Sequence, residues 1–122
     1  KRGEFMAITK AFEDYLEAIY ILEQSGEPVH SIKVAKLLSV SRPAVNQAMN
    51  TLIADGYIEK PNYSNISLTD NGREIAKRIY SRHITIKTFL INLGVSEQTA
   101  ETDACKIEHI ISEETLQAIK NK

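Results

Sequence analysis

The chain has 122 residues, 43% of them hydrophobic and 25% charged, which is typical of a globular protein with one domain or a small domain and an appendage. Its single cysteine, Cys105, excludes an internal disulfide, and no apolar run suits a signal peptide or a membrane span. We therefore expect a cytoplasmic protein with no membrane partner. Residues 1–5 are interpreted as a cloning remnant before Met6.

Charge is unevenly distributed, although the formal net charge is only −1. Residues 31–60 contain four basic and two acidic side chains, whereas residues 96–122 contain six acidic and three basic ones. This asymmetry allows a nucleic-acid face and a cation-binding face on one molecule.

The first predicted helix begins after Thr9, which can cap it, and ends before Gly26. Within it, Phe12, Leu16 and Ile19 nearly follow the helical period, which predicts one buried face.

Two short helices follow. One is predicted over 31–38, and the next opens at Ser41 with Pro43 in its first turn, where the missing N–H costs no hydrogen bond, and ends at Gly56. The expected buried face of the shorter helix consists of Ile32, Ala35 and Leu38. Such a pair of helices, joined by a few residues, indicates a helix-turn-helix.

A β-hairpin, or wing, is predicted next, because residues 57–60 and 65–68 alternate apolar and polar side chains on either side of a turn-rich stretch.

Three helices complete the chain. A long one is capped by Thr69 and runs to about Asn92, another runs from Ser96 to about Ile111, and the last opens at Ser112. The predicted fold is therefore mainly α, with a winged helix-turn-helix followed by a helical region.

The start of the third helix carries side chains suited to reading DNA. In helix-turn-helix proteins this helix enters the major groove, while the preceding one crosses the backbone. Arginine can bond a guanine edge, and asparagine or glutamine an adenine edge. The candidate DNA-binding residues are Lys33, Lys36, Ser41, Arg42, Pro43, Asn46 and Gln47, with Asn65 and Lys60 on the hairpin. The alternative is a winged helix used for protein contacts.

A second set of residues could bind metal. Asp14 and Glu17 are three residues apart on the first helix and share a face. Cys105, Glu108 and His109 have the i, i+3, i+4 spacing of a shared face on the fifth predicted helix. Carboxylate, imidazole and thiolate form a mixed hard and soft ligand set. Taken singly, the same residues also fit a solvated helix face or a core cysteine.

Five segments are distributed along nearly the whole chain after Met6: 13–20, 34–45, 68–72, 82–83 and 103–109. In order and spacing they resemble the diphtheria-toxin-repressor and manganese-transport-regulator family of metal-dependent repressors. The resemblance implies a winged-helix DNA-binding domain over 6–75 and a helical metal-binding and dimerisation domain over 76–122.

The same resemblance implies a function. It predicts a homodimer that binds a double-stranded operator and represses metal-uptake genes, with Mn(II) or Fe(II) as co-repressor and Co(II) or Zn(II) as substitutes. The implied metal ligands are Asp14, Glu17, His83, Cys105, Glu108 and His109. It implies neither an enzyme nor a small organic substrate.

The chain departs from the family pattern in ways that leave the metal open. Asp14 is typical of the manganese branch and Cys105 of the iron branch. Lys87 stands where many members have a carboxylate, and Glu101 where the iron branch has a histidine. We expect one well-formed site built on Asp14, Cys105, Glu108 and His109, and a second site that uses Glu17 and His83.

Two rival functions fit parts of the same pattern. A metalloenzyme requires an open coordination position beside a substrate pocket, for which the sequence gives no sign. A metal-independent winged-helix regulator that senses a small organic ligand would share the wing and the dimer but would not need the ligand cluster.

Overall fold

The computed structural model describes residues 8–60 and 65–122. The predicted cloning remnant, 1–5, and residues 61–64 of the predicted hairpin turn lie outside the described residues. The elements are α1 (Lys10–Glu23), α2 (Ser31–Leu38), α3 (Arg42–Ala54), β1 (Ile58–Glu59), β2 (Ser67–Leu68), α4 (Asp70–Asn92), α5 (Glu97–Ile107) and α6 (Glu113–Lys120). The prediction of a mainly α fold with a small hairpin is confirmed. The chain divides into two units between Lys77 and Arg78, within α4.

Helix starts follow the capping residues read from the sequence. The side-chain oxygen of each predicted cap accepts a hydrogen bond from the backbone N–H three residues later: Thr9, Ser41, Thr69, Ser96 and Ser112. Each bond satisfies one of the N–H groups that a helix start leaves unpaired.

The core of the first unit lies between α1, α2, α3 and the hairpin. Leu16 and Ile19 of α1 are fully buried there, as predicted. The predicted face of α2 is wrong at one position: Ile32 is 44% exposed, and Val34 is fully buried. The cause is the dense apolar composition of α2, which makes its periodicity ambiguous over only eight residues.

The two hairpin strands are antiparallel, with Ile58 opposite Leu68 and Glu59 opposite Ser67. Ile58 and Leu68 are buried, so this face of the hairpin packs on the core.

Glu23, the last residue of α1, fixes the base of the hairpin. One of its carboxylate oxygens accepts a hydrogen bond from Arg73 Nη1 at 2.7 Å, and the other from the backbone N–H of Leu68 at 3.3 Å. The end of α1, strand β2 and the first turn of α4 are thus joined through one partly buried carboxylate.

In the second unit, α4, α5 and α6 contribute Ile86, Ala104 and Leu116 to a separate small core. Helix α5 ends at Ile107, four residues before the predicted end at Ile111. Within 8–60 and 65–122, no helix is both long and apolar enough to cross a bilayer.

Candidate metal centre and nucleic-acid interface

His83 is the centre of a buried polar network in the second unit. Helix α4 carries it, and the side chain is 7% exposed. Its Nδ1 lies 2.7 Å from Glu108 Oε1, and its Nε2 lies 3.0 Å from Glu101 Oε1. The imidazole is therefore held between two carboxylates.

This arrangement favours the charged form of the histidine. The hydrogen bond to Glu108 has the largest effect; burial opposes it, and the bond to Glu101 adds to it, so that the pKa of His83 rises to about 9. With no metal bound, His83 is an imidazolium at neutral pH and supplies the positive charge that its carboxylate neighbours need.

Glu108 brings an incompletely satisfied carboxylate into the interior. The residue is fully buried, and among the described residues its Oε2 has no hydrogen-bond partner. His109 Nε2 is the nearby basic atom, at 3.5 Å, beyond good hydrogen-bonding geometry. A buried carboxylate oxygen left without a donor is costly, whereas coordination to a cation would stabilise it. The residues present therefore fit a metal ion.

Cys105, on α5, adds a sulfur donor to the nitrogen and oxygen donors around His83. Its Sγ lies 3.9 Å from His83 Nδ1 and 3.8 Å from Glu101 Oε2. Single ligand atoms of His83, Glu101 and Cys105 lie within 4.8 Å of one another. We call these three residues the His83 cluster. Imidazole, carboxylate and thiolate suit a divalent transition ion.

The predicted extent of α5 is wrong at its end, so that of Cys105, Glu108 and His109 only the first lies within the helix. Glu108 is the C-cap of α5, and His109 lies in the turn that follows. In the second unit, Cys105 groups with His83 and Glu101.

Lys87 lies one helical turn after His83. Its Nζ is 3.0 Å from Glu101 Oε1 and 3.7 Å from Glu97 Oε2. The bond to Glu101 raises the pKa of Lys87. Burial alone would raise the pKa of Glu101, but its bonds with His83 and Lys87 outweigh burial and lower it.

Arg82 is a positioning residue that sequence reasoning missed. Its Nη1 donates to the carbonyl oxygens of Glu108, at 3.3 Å, and Ile111, at 3.2 Å. Its Nη2 donates to Glu113 Oε1 at 3.2 Å. The guanidinium thus holds the turn that carries Glu108 and His109. The only signal in the sequence was its place next to His83, which says nothing about contacts 26–31 residues away.

Asp14 and Glu17 lie on α1 in the first unit. Asp14 Oδ2 pairs with Lys10 Nζ at 3.0 Å, and Glu17 is buried. Both have the acidic character expected of ligands for a hard cation. Their membership of a metal site stays a prediction.

The predicted DNA-reading residues of α3 are exposed. Arg42, Pro43, Asn46 and Gln47 all face solvent at the helix start. Because Arg42 and Asn46 are four residues apart, as are Pro43 and Gln47, they form a contiguous exposed surface. Ser41 is exposed too, but its Oγ is used as the helix cap.

The other residues predicted to contact DNA are either exposed or hydrogen-bonded within the protein. Lys36 is exposed, whereas Lys33 pairs with Glu27 at 3.2 Å. Asn65 accepts a hydrogen bond from the backbone N–H of Val29 at 3.1 Å through its Oδ1. Asn65 therefore ties the hairpin to the segment before α2, and only its remaining polar atoms are available to DNA.

Residues 7–66 match the family described as iron dependent repressor, N-terminal DNA binding domain. Residues 69–122 match the family described as iron dependent repressor, metal binding and dimerisation domain.

Individual relatives agree with these matches. The chain is 40% identical over 115 residues to a helix-turn-helix-type transcriptional regulator of Methanocaldococcus jannaschii, covering 93% of this chain and 92% of the relative. It is 35% identical over 108 residues to the transcriptional regulator MntR of Escherichia coli O157:H7, covering 88% and 70%.

A solved structure of a manganese-dependent transcriptional repressor in complex with manganese is similar to this chain, with a TM-score of 0.83 and 27% identity. The match covers 90% of this chain and 51% of that one. The chain thus spans about half the length of this and other similar solved structures.

Proposed function

Because this chain belongs to the family of iron-dependent repressors, we propose that it is a metal-dependent transcriptional repressor. Its co-repressor is a divalent transition metal, Mn(II) or Fe(II). It acts as a homodimer on a double-stranded operator in the cytoplasm, and it controls genes of metal uptake or homeostasis. It has no catalytic role, in line with a family of transcriptional regulators.

The observation that carries this proposal is the buried Glu108 carboxylate. One oxygen is bonded to His83, and the other is buried with no hydrogen-bond partner among the described residues. A stable protein rarely leaves such a group unsatisfied without a functional reason. A site that a cation completes accounts for this unsatisfied oxygen. The second unit also supplies basic and thiol donors close to that site.

We propose that the ligands are those implied by the family resemblance: Asp14, Glu17, His83, Cys105, Glu108 and His109. Glu101 joins them because its carboxylate contacts both His83 and Cys105. The carboxylates of Asp14 and Glu17 favour Mn(II), while the Cys105 thiolate favours softer ions such as Fe(II), Co(II) and Zn(II).

The ion, when bound, supplies the positive charge that the clustered carboxylates require. The His83 imidazolium must release a proton before its nitrogen can coordinate, so metal binding and proton release are coupled. Arg82 keeps Glu108 and His109 at their places through the backbone of their turn.

DNA binding is assigned to the start of α3. Arg42, Asn46 and Gln47 are exposed there with the donors and acceptors needed to read base edges. Lys36 on α2 is exposed and suited to a phosphate contact. Metal changes DNA affinity only to the extent that it binds the DNA-competent state more tightly, and such coupling is typically about 5–150-fold.

The test of this proposal begins by selecting an operator. Purified protein is used to select duplexes from a random-sequence pool in Mn(II), and the affinity of the selected duplex is measured by fluorescence anisotropy in Mn(II), in Fe(II) under anaerobic conditions, and with a chelator. We expect the chelator to weaken binding by about 5–150-fold. Equal affinity in all three conditions would support the metal-independent winged-helix regulator instead.

Two variants separate the two halves of the proposal. Glu108→Gln is expected to abolish the response to Mn(II) while the chain keeps its helical circular dichroism. Gln47→Ala is expected to weaken binding to the selected duplex while Mn(II) binding is unchanged. An unaltered metal response in the first variant would remove Glu108 from the site.

A further inference from the structure

A lysine ammonium occupies the edge of the His83 cluster. Lys87 is partly buried, with 24% of its side chain exposed, and its Nζ lies 3.0 Å from Glu101 Oε1. It follows His83 by four residues on α4, so both side chains leave the same face of the helix.

One oxygen atom is contacted from both sides. Glu101 Oε1 lies 3.0 Å from His83 Nε2 and 3.0 Å from Lys87 Nζ. An ion that coordinates this oxygen must displace a donor from it, and it must also tolerate the remaining charge nearby. An ammonium has three donors and no acceptor, so Lys87 cannot become a ligand while it is protonated.

We propose that Lys87 competes with a divalent cation for the His83 cluster. Its ammonium pairs with the Glu101 carboxylate that the cation would otherwise bind. This inference rests on the proposed function, and it adds a determinant of metal affinity that lies on this chain's own α4. The cluster takes up a divalent ion only when Lys87 releases Glu101.

Glu97 is an alternative ion-pair partner for Lys87. Its Oε2 is 3.7 Å from Lys87 Nζ, and its side chain is 81% exposed. A small rotation transfers the ammonium from Glu101 to Glu97 and towards solvent. Glu108 bonds to the other nitrogen of His83, so the competition is directed at Glu101.

The test uses Co(II) alone and the full chain. Thiolate ligation of Co(II) produces a sulfur-to-metal charge-transfer absorption in the near ultraviolet, which reports an ion bound to Cys105. Cys105→Ser should lose this band and so assigns it. Titrations of wild type, Lys87→Gln and Lys87→Arg are then compared. Lys106→Gln is the matched control, because Lys106 is an exposed lysine of α5 and its loss changes net charge equally.

Lys87→Gln is expected to lower the Co(II) concentration at half-saturation of the Cys105 band by about 5–150-fold. Lys87→Arg should bind Co(II) no more tightly than wild type, since arginine keeps the charge and pairs at least as well with a carboxylate. Lys106→Gln should stay within about twofold of wild type, since it leaves Glu101 paired. Half-saturation that is unchanged in Lys87→Gln, with Co(II) still bound by all variants, overturns the competitor role alone. Failure of every chain, wild type included, to bind Co(II) or Mn(II) in equilibrium dialysis overturns the proposed function and this inference together.

Discussion

Raising the pH of the metal-free protein from 6.5 to about 9 is expected to lower its free energy of unfolding through His83. The pKa of this side chain is raised from 6.5 to about 9, first by Glu108 and further by Glu101, against the opposing effect of burial. Below pH 6.5 the histidine is charged in both the folded and the unfolded chain, and the stabilising contribution is fully present. As pH rises through about 9 the folded histidine loses its proton, and the contribution disappears.

The magnitude follows from the size of the shift. At about 1.4 kcal/mol per pKa unit, a change from 6.5 to about 9 corresponds to about 3 kcal/mol. Glu101, one of the two partners, is 47% exposed, and solvent screens its share. We therefore expect a loss of about 1–3 kcal/mol across this pH range.

Urea denaturation in the presence of a chelator measures this loss at several pH values. His83→Gln is the control, because it removes the titrating group and should flatten the pH dependence between 6.5 and 9. The pKa of His83 in wild type, followed by nuclear magnetic resonance, gives a second readout that does not depend on any variant folding. A pKa near 6.5, or the same slope in both proteins, would refute the reasoning.

Three further predictions concern single substitutions. Gly72→Ala places a Cβ on the backbone carbonyl of Tyr57 and should cost at least about 1–3 kcal/mol in urea denaturation. Ser41→Ala removes the cap that accepts the Ala44 N–H and should cost about 1 kcal/mol, seen as a lower Tm. Arg82→Met leaves the turn that carries Glu108 and His109 without its donors and should weaken Mn(II) binding about 10–100-fold in equilibrium dialysis.

Each of these has an outcome that contradicts it. Wild-type stability in Gly72→Ala would mean that α4 and the segment before β1 can separate freely. An unchanged Tm in Ser41→Ala would mean that the Ser41 cap contributes nothing to the free energy of unfolding. For the arginine, Arg78→Met is the matched control, since Arg78 is exposed on the same helix, and equal Mn(II) affinity in both variants would exclude a positioning role.

Local signals predicted the helix starts well, because a cap is an interaction between neighbours in sequence. Thr9, Ser41 and Ser96 could be recognised from residue type and the pattern that follows. The end of α5 at Ile107 was predicted four residues too late, beyond Glu108, whose carbonyl accepts a hydrogen bond from Arg82 on a different helix. Nothing in a local window reveals such a contact.

For the candidate site, too, the sequence indicated residue types but not contacts between helices. The acidic, histidine and cysteine residue types indicated a cation, and the family resemblance named the positions. The grouping of Cys105 with His83 and Glu101 depends on how α4 and α5 pack, which spacing within α5 does not reveal. Asn65 shows the same limit: an exposed polar residue of the hairpin proves to bond Val29.

The clamp made by Glu23 has a consequence for engineering this protein. One carboxylate couples the orientation of the wing to the carboxyl end of α1, through Leu68 on one side and Arg73 on the other. The acidic residues Asp14 and Glu17 lie on the same helix, roughly two turns earlier. A redesign of the proposed ligands on α1 that preserves Glu23 should therefore leave the attachment of the wing intact, so that the proposed preferences for ion and for operator can be altered separately.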